Sequence, residues 1–269
     1  MKRINRTFSV APMMDWTDRH CRYLHRLISK NVLLYTEMVT APALIHGDAD
    51  RLLEFNQSEH PIALQIGGSH PNQLAQATRL GCEAGYDEIN INIGCPSDRV
   101  QFGRFGACLM KEPELVSECV TAMKEASTGA EITVKCRIGV DDQEPKRILP
   151  DFIDKVSQNG VSSFTIHARK AWLSGLSPKQ NRDVPPLDYE LVHEIKKERP
   201  ELEIILNGGL QTFDQAVHEI NKGLDGAMIG RTAYHNPMEI LANDDSLFET
   251  NTNKKSVNKI IDEMLPYIQ

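Results

Sequence analysis

Eight short apolar or β-branched runs punctuate the 269-residue chain, and helix-like stretches separate them. The runs are Phe8–Pro12, Leu33–Met38, Ile62–Ile66, Glu88–Asn92, Ile132–Arg137, Ser163–His167, Glu203–Asn207 and Ala227–Gly230. Several are almost continuously apolar, the pattern of strands covered on both faces. Between them, Leu74, Ala77, Leu80, Gly81 and Ala84 share one helical face, as do Leu115, Val116, Cys119 and Met123. Pro71 and Pro113 stand near helix starts, where a missing N–H costs nothing. Repeated strand–helix alternation implies a parallel sheet with right-handed crossovers. Eight such units close on themselves, so the expected fold is α/β, a (β/α)8 TIM barrel, with a doubly wound open sheet as the alternative. The length suits one barrel, which takes about 250 residues.

The barrel is expected to fill residues 1–242. Asn243 to Lys255 is polar and acidic and reads as a linker, and Ser256 to Leu265 reads as one amphipathic helix. Such a helix either packs on the barrel or begins a second domain. No apolar run approaches the roughly 20 residues that span a bilayer, and no signal-peptide core follows the basic N-terminus, so a cytoplasmic chain with no membrane partner is expected. The six cysteines form no CxxC pair and no zinc spacing, which predicts reduced thiols and no metal site. The net charge of −7 argues weakly against nucleic acid, but the charge is uneven. Residues 1–30 hold seven Lys/Arg against two Asp, and residues 167–182 hold Arg169, Lys170, Lys179 and Arg182 with no acid. Solvated faces are the plain alternative for both stretches.

In a barrel the chemistry sits at the C-terminal ends of the strands. In order, those ends read Ala11-Pro12-Met13-Met14, Glu37-Met38, Gln65-Ile66-Gly67-Gly68, Asn90-Ile91-Asn92-Ile93-Gly94-Cys95-Pro96, Lys135 with Arg137, His167-Ala168-Arg169, Asn207-Gly208-Gly209 and Gly230-Arg231. Nearly every end offers a polar group or a glycine, which a purely structural barrel does not need, because an unpaired buried polar group is costly. Gly208-Gly209 and Gly230-Arg231 follow strands 7 and 8, where barrels often bind phosphate; glycines admit backbone N–H groups, and Arg231 can add a bidentate contact. Lys135, inside a strand, reads as a Schiff-base nucleophile, as a cation facing an electron-rich ring, or as an outward-pointing lysine. Gln65 and His167 can serve a heterocycle or be satisfied core polar groups. Cys95 opens a loop rich in Gly and Arg that runs to Gly106 and can move as a lid. A thiol there can deliver a proton to a substrate or attack it.

Read together, Ala11-Pro12-Met13, Gln65-Ile66-Gly67, Asn90 to Pro96, Gly106-Ala107-Cys108-Leu109-Met110, Val134-Lys135-Cys136-Arg137, His167-Ala168-Arg169, Asn207-Gly208-Gly209 and Gly230-Arg231 resemble the tRNA-dihydrouridine synthases. Single pieces are weak signals, but the ordered set, from residue 8 to about residue 240, is specific. Val10 to Asp18 and His167 to Leu173 look closest to the synthase A subfamily. The resemblance implies FMN held by Pro12, Met13, Met14, Gln65, Lys135, His167, Asn207, Gly208, Gly209, Gly230 and Arg231. It implies that Lys135 faces the flavin ring, that Cys95 is the general acid, and that Asn92 meets the uracil edge. Arg169, Lys179 and Arg182 would contact tRNA. The implied reaction reduces uridine 20 and 20a of the tRNA D-loop, with hydride passing to C6 and a proton from Cys95 to C5. NADPH would be a transient reductant, since no dinucleotide fingerprint is present, and a monomer is expected. These synthases carry a C-terminal helical domain that grips tRNA. Residues 243–269 would then be a linker and the first helix of a truncated copy, predicting flavin binding with weak tRNA binding.

Three rivals stand beside this reading. A dihydroorotate dehydrogenase-like flavin barrel would act on a free small molecule. A flavin-free lyase would use Lys135 as a Schiff base. A non-catalytic tRNA-binding protein would not need polar strand ends.

Overall fold

The computed structural model describes residues 4–250 and 254–268. The eight runs become strands β1 (Phe8–Val10), β2 (Leu34–Thr40), β3 (Ile62–Gly67), β4 (Glu88–Ile93), β5 (Glu131–Arg137), β6 (Ser163–His167), β7 (Glu203–Asn207) and β8 (Gly226–Ile229). Their order is β1-β8-β7-β6-β5-β4-β3-β2, and every pairing is parallel. A bridge between Ser9 and Leu33 joins β1 to the start of β2, with the Val10 N–H on the Leu33 carbonyl at 3.0 Å. The sheet therefore closes, and the open-sheet alternative falls.

Successive strand residues face opposite sides, so each strand serves two environments. Ile89, Ile91 and Ile93 of β4 join the large core between barrel and helices, together with Leu64, Val134, Phe164 and Leu206. The inward set is divided. Ala11, Leu33, Tyr35, Ala63, Ile205 and Met228 form a small apolar cluster on one side. Glu88, Asn90, Asn92, Gln65 and Thr133 occupy the other, buried and hydrogen-bonded to one another. The near-continuous apolar pattern thus holds for the outward residues but not for the interior of β3–β5.

The floor of the barrel is ionic. The Arg6 guanidinium reaches Glu88 at 2.7 Å, Glu131 at 2.6 Å and Glu203 at 2.9 Å. Burial opposes its charge, but Glu88 and Glu203 outweigh that, so Arg6 holds its proton more tightly than a free arginine. Arg22 and Arg26 are also structural. Arg22 pairs with buried Glu59 at 2.6 Å, and Arg26 donates to the Val32 and Glu59 carbonyls. The basic N-terminal stretch is therefore neither a solvated face nor a free nucleic-acid patch at these three positions.

The helices follow their sequence signals. Pro71–Ala84 and Pro113–Ala126 each begin at a proline, and the first ends at Gly85 in the left-handed region. Leu74, Ala77, Val116, Cys119 and Met123 are buried as expected, whereas Leu80 and Leu115 are only half-buried. Gly81 lets helix Pro71–Ala84 lie against β4: a Cβ there would stand 2.6 Å from Ile89. The last barrel helix is Pro237–Leu241. The segment read as a linker contains a short helix, Asp245–Phe248, and its Asp244 is buried on the Ser29 hydroxyl. Residues 251–253 of that linker reading lie outside the described residues. The final helix, Val257–Ile268, runs past the expected Leu265 and packs on helix Arg19–Ile28. There Tyr267 stacks on Tyr23 with ring centroids 3.9 Å apart, and Ile260 is buried.

Candidate active site

The strand ends converge at the mouth. β1 turns at Pro12-Met13, where the Met13 N–H donates to the Thr17 hydroxyl at 2.9 Å. Met14 projects outward and is 54% exposed, the least enclosed of the expected cofactor residues on that turn. A Cβ on Gly230 would lie 3.6 Å from Met13 Sδ, so the ends of β8 and β1 meet across the closure. Gln65 and Asn92 are buried and joined, Asn92 Nδ2 donating to Gln65 Oε1 at 2.7 Å. The Asn92 oxygen accepts the N–H groups of Gly94 and Cys95 at 3.0 and 2.9 Å, which shapes the turn carrying the thiol. Cys95 Sγ lies 3.5 Å from the Ser97 hydroxyl.

Lys135 points inward, not at a helix, and its ammonium donates to Asn207 Oδ1 at 2.9 Å. Burial, then neighbouring Arg137, pushes its pKa down to about 7. Asn207 Nδ2 donates in turn to the Met228 carbonyl at 2.8 Å. Burial, helped by Arg137 and Lys135, holds His167 well below the ordinary histidine range, so its imidazole is neutral at pH 7. The ring packs on Gly208, where a Cβ would stand 2.3 Å from it; φ is 103° at Gly208 and 74° at Gly209. Both positions thus demand glycine.

The loop after β6 brings further cations. Arg169 donates to the Pro185 carbonyl, and its buried Nε has no protein partner. Arg182 and Lys179 are exposed on the same loop. Arg231 pairs with Asp183 at 2.7 Å across the mouth. Arg137, deeply buried, has its pKa lowered to about 9 by burial and by Arg182 and Arg169, and it bonds the carbonyls of Gly94 and Asn181. Burial and Arg231 likewise weaken the proton of Arg182. These cations repel one another and hold more positive charge than Asp183 offsets, which favours an anion. The orphaned Arg169 Nε and the Gly208-Gly209 turn fit a phosphate-bearing group in this mouth.

Sequence reasoning singled out the residues at the strand ends but assigned nothing to Arg137, Asn181, Gln101, Asn90 or Thr133. Asn181 pins the loop after β6 through Trp172 and Leu176. Gln101 joins the Cys95 loop to it, donating to the Leu173 carbonyl at 2.6 Å. The spacing of Lys135 and Arg137, two apart on one strand, was a legible signal that both face inward. Asn181 and Gln101 carried none. Among the described residues, no group of three or more His, Cys, Asp or Glu is placed to hold a metal ion, and no helix is long and apolar enough to cross a membrane.

A closed parallel barrel with a thiol, paired amides, a neutral imidazole and surplus cations at its C-terminal mouth is built for enzymatic work on an anionic partner. The dihydrouridine synthase family model matches residues 9–269, and the chain belongs to that family of flavin-dependent oxidoreductases. It is similar to the tRNA-dihydrouridine(20/20a) synthase of Vibrio vulnificus, 55% identical over 262 residues, 97% of this chain and 79% of the relative. The corresponding synthase of Shewanella oneidensis is 54% identical over 268 residues, 100% of this chain and 79% of the relative. That of Pseudomonas aeruginosa is 53% identical over 266 residues, 99% of this chain and 80% of the relative.

Proposed function

We propose that the protein reduces uridine 20 and 20a in the tRNA D-loop to 5,6-dihydrouridine, with FMN as cofactor and NADPH as reductant. The observation that carries this reading is the mouth itself: Cys95 on a turn shaped by Asn92, beside Lys135 and His167, inside a ring of arginines. The family match supplies the substrate class. When bound, the reduced flavin supplies hydride to uracil C6.

The protein's own residues do the rest. Gly208, Gly209, Gly230 and Arg231 hold the phosphate, with Pro12, Met13 and Met14 against the cofactor. Gln65, Lys135, His167 and Asn207 face its ring. Lys135, with a pKa near 7, gains its proton when an anion settles beside it. The membership in the dihydrouridine synthase family, rather than the lowered pKa, favours an electrostatic role over a Schiff base. His167, neutral, offers a hydrogen bond without adding charge. The target base must leave its stack to reach the mouth, at a cost of a few kcal/mol. Asn92 holds the uracil edge, and Cys95 gives its proton to C5 as general acid. Arg169, Lys179 and Arg182 bind the RNA backbone around the mouth. Residues 1–242 are read as the catalytic barrel, and 243–269 as a linker and the first helix of a truncated C-terminal helical tRNA-binding domain.

Anaerobic reduction of the purified protein, followed by unmodified tRNA, tests this. Flavin reoxidation that requires tRNA and is lost in Cys95→Ala is the expected result. Reoxidation by small molecules but not by tRNA would favour the dihydroorotate dehydrogenase-like reading. A protein that cannot be reconstituted with FMN would overturn the cofactor assignment.

A further inference from the structure

A single file of hydrogen bonds runs through the barrel from the mouth to the floor. The N–H groups of Gly94 and Cys95 donate to Asn92 Oδ1 at 3.0 and 2.9 Å. Asn92 Nδ2 donates to Gln65 Oε1 at 2.7 Å, and Gln65 Nε2 to Asn90 Oδ1 at 2.8 Å. Asn90 Nδ2 donates to the Thr133 hydroxyl at 2.8 Å, which donates to Glu88 Oε1 at 2.5 Å. Tyr35 also donates to Glu88 Oε1, at 2.6 Å, and Arg6 holds the other carboxylate oxygen at 2.7 Å. All five side chains from Asn92 to Glu88 are buried.

Every link points the same way, and both ends dictate that direction. At the floor, an ionised carboxylate only accepts, so Thr133 spends its one proton on Glu88 and must accept from Asn90. At the mouth, backbone N–H groups only donate, so Asn92 must turn its oxygen toward Gly94 and Cys95. A side-chain amide flips easily where its surroundings are neutral to the exchange of O and N. Here, reversing any one amide breaks two links in a buried file.

We infer that Glu88, Thr133 and Asn90 are positioning residues that lock the amide polarity of Gln65 and Asn92. The lock leaves Asn92 with its oxygen used twice and one N–H to spare, so Asn92 is a donor toward the substrate. It reads an acceptor such as a pyrimidine carbonyl and offers nothing to an amino group. The inference rests on the proposed flavin and uracil roles of Gln65 and Asn92 for its functional meaning, but its polarity can be measured without them.

The test uses Thr133→Val, which keeps the shape and removes the hydroxyl, with Thr133→Ser as the rescue. In the 15N-labelled full chain without flavin, NMR should find a protected side-chain amide proton on each of Asn90, Gln65 and Asn92. In Thr133→Val, exchange should speed up at all three by about tenfold or more, the scale of one lost buried hydrogen bond. The FMN dissociation constant, read by fluorescence quenching, should rise by a similar factor. Thr133→Ser should restore both readings even if its melting temperature stays low. A merely structural threonine would move the melting temperature and the Asn90 signal alone, and that result would overturn the inference. If Thr133→Val does not fold, the wild-type spectrum decides: unprotected Asn92 and Gln65 amides would overturn the lock. A wild-type protein with the protected pattern but no FMN affinity would uphold the lock and sink the cofactor reading instead.

Discussion

The two ends of the barrel treat buried charge in opposite ways. At the floor, one guanidinium faces three carboxylates within 3 Å, with Tyr35 and Thr133 completing the shell. At the mouth, Lys135, Arg137, Arg169, Arg182 and Arg231 gather with Asp183 paired to Arg231, and burial and mutual repulsion weaken the protons of the first four. Both ends come from the same strands: β5 carries Glu131 at the floor and Lys135 and Arg137 at the mouth. The floor is complete and serves stability. The mouth is electrostatically incomplete and serves a partner, the division expected between the two faces of such a barrel.

The contrast can be broken most sharply at Cys95. Cys95→Ala should lower the rate of tRNA-dependent flavin reoxidation by about 10² to 10⁴-fold, the usual worth of a general acid, in stopped-flow measurements. Its urea midpoint should not move; a large fall would make the thiol structural. Next, Arg6→Met should remove about 3–5 kcal/mol of stability in urea titrations at pH 7, because it strands buried carboxylates. A floor that tolerates this change would erase the distinction drawn above.

A smaller effect is expected at Arg231. Arg231→Ala should weaken FMN binding by about tenfold or somewhat more, since hydrogen bonds to charged groups contribute roughly 1.5–3 kcal/mol. Stability should shift by less than about 1 kcal/mol, because the pair with Asp183 is surface-exposed. The mildest test is pH. The pKa of Lys135 is lowered, to about 7, so an anion that prefers the charged form should bind less tightly as pH rises past 7. One linked proton limits the slope to about tenfold per pH unit. The sign for folding is the reverse: the penalty for burying charged Lys135 is full below about 7 and relieved as pH climbs toward the ordinary 10.5. FMN titrations between pH 6.5 and 9 on wild type and Lys135→Met should show a slope only in the former.

The sequence by itself determined the eight strands, their parallel order and the mouth at their C-terminal ends, because periodicity and chain connectivity are local properties. It also placed Cys95, Gln65, Lys135 and His167 at that mouth. What it could not decide was partnership. Arg6, Arg22 and Arg26 look like neighbouring cations in sequence, and only the fold brings Glu88, Glu131, Glu203 and Glu59 to them from distant strands and turns. Arg137, Arg169, Arg182 and Arg231 look no different along the chain, yet closure of the barrel crowds them against one another, with Asp183 paired to Arg231 alone. The difference is one of long-range Coulomb balance in a low-dielectric interior, which depends on distances across the barrel that no local pattern encodes.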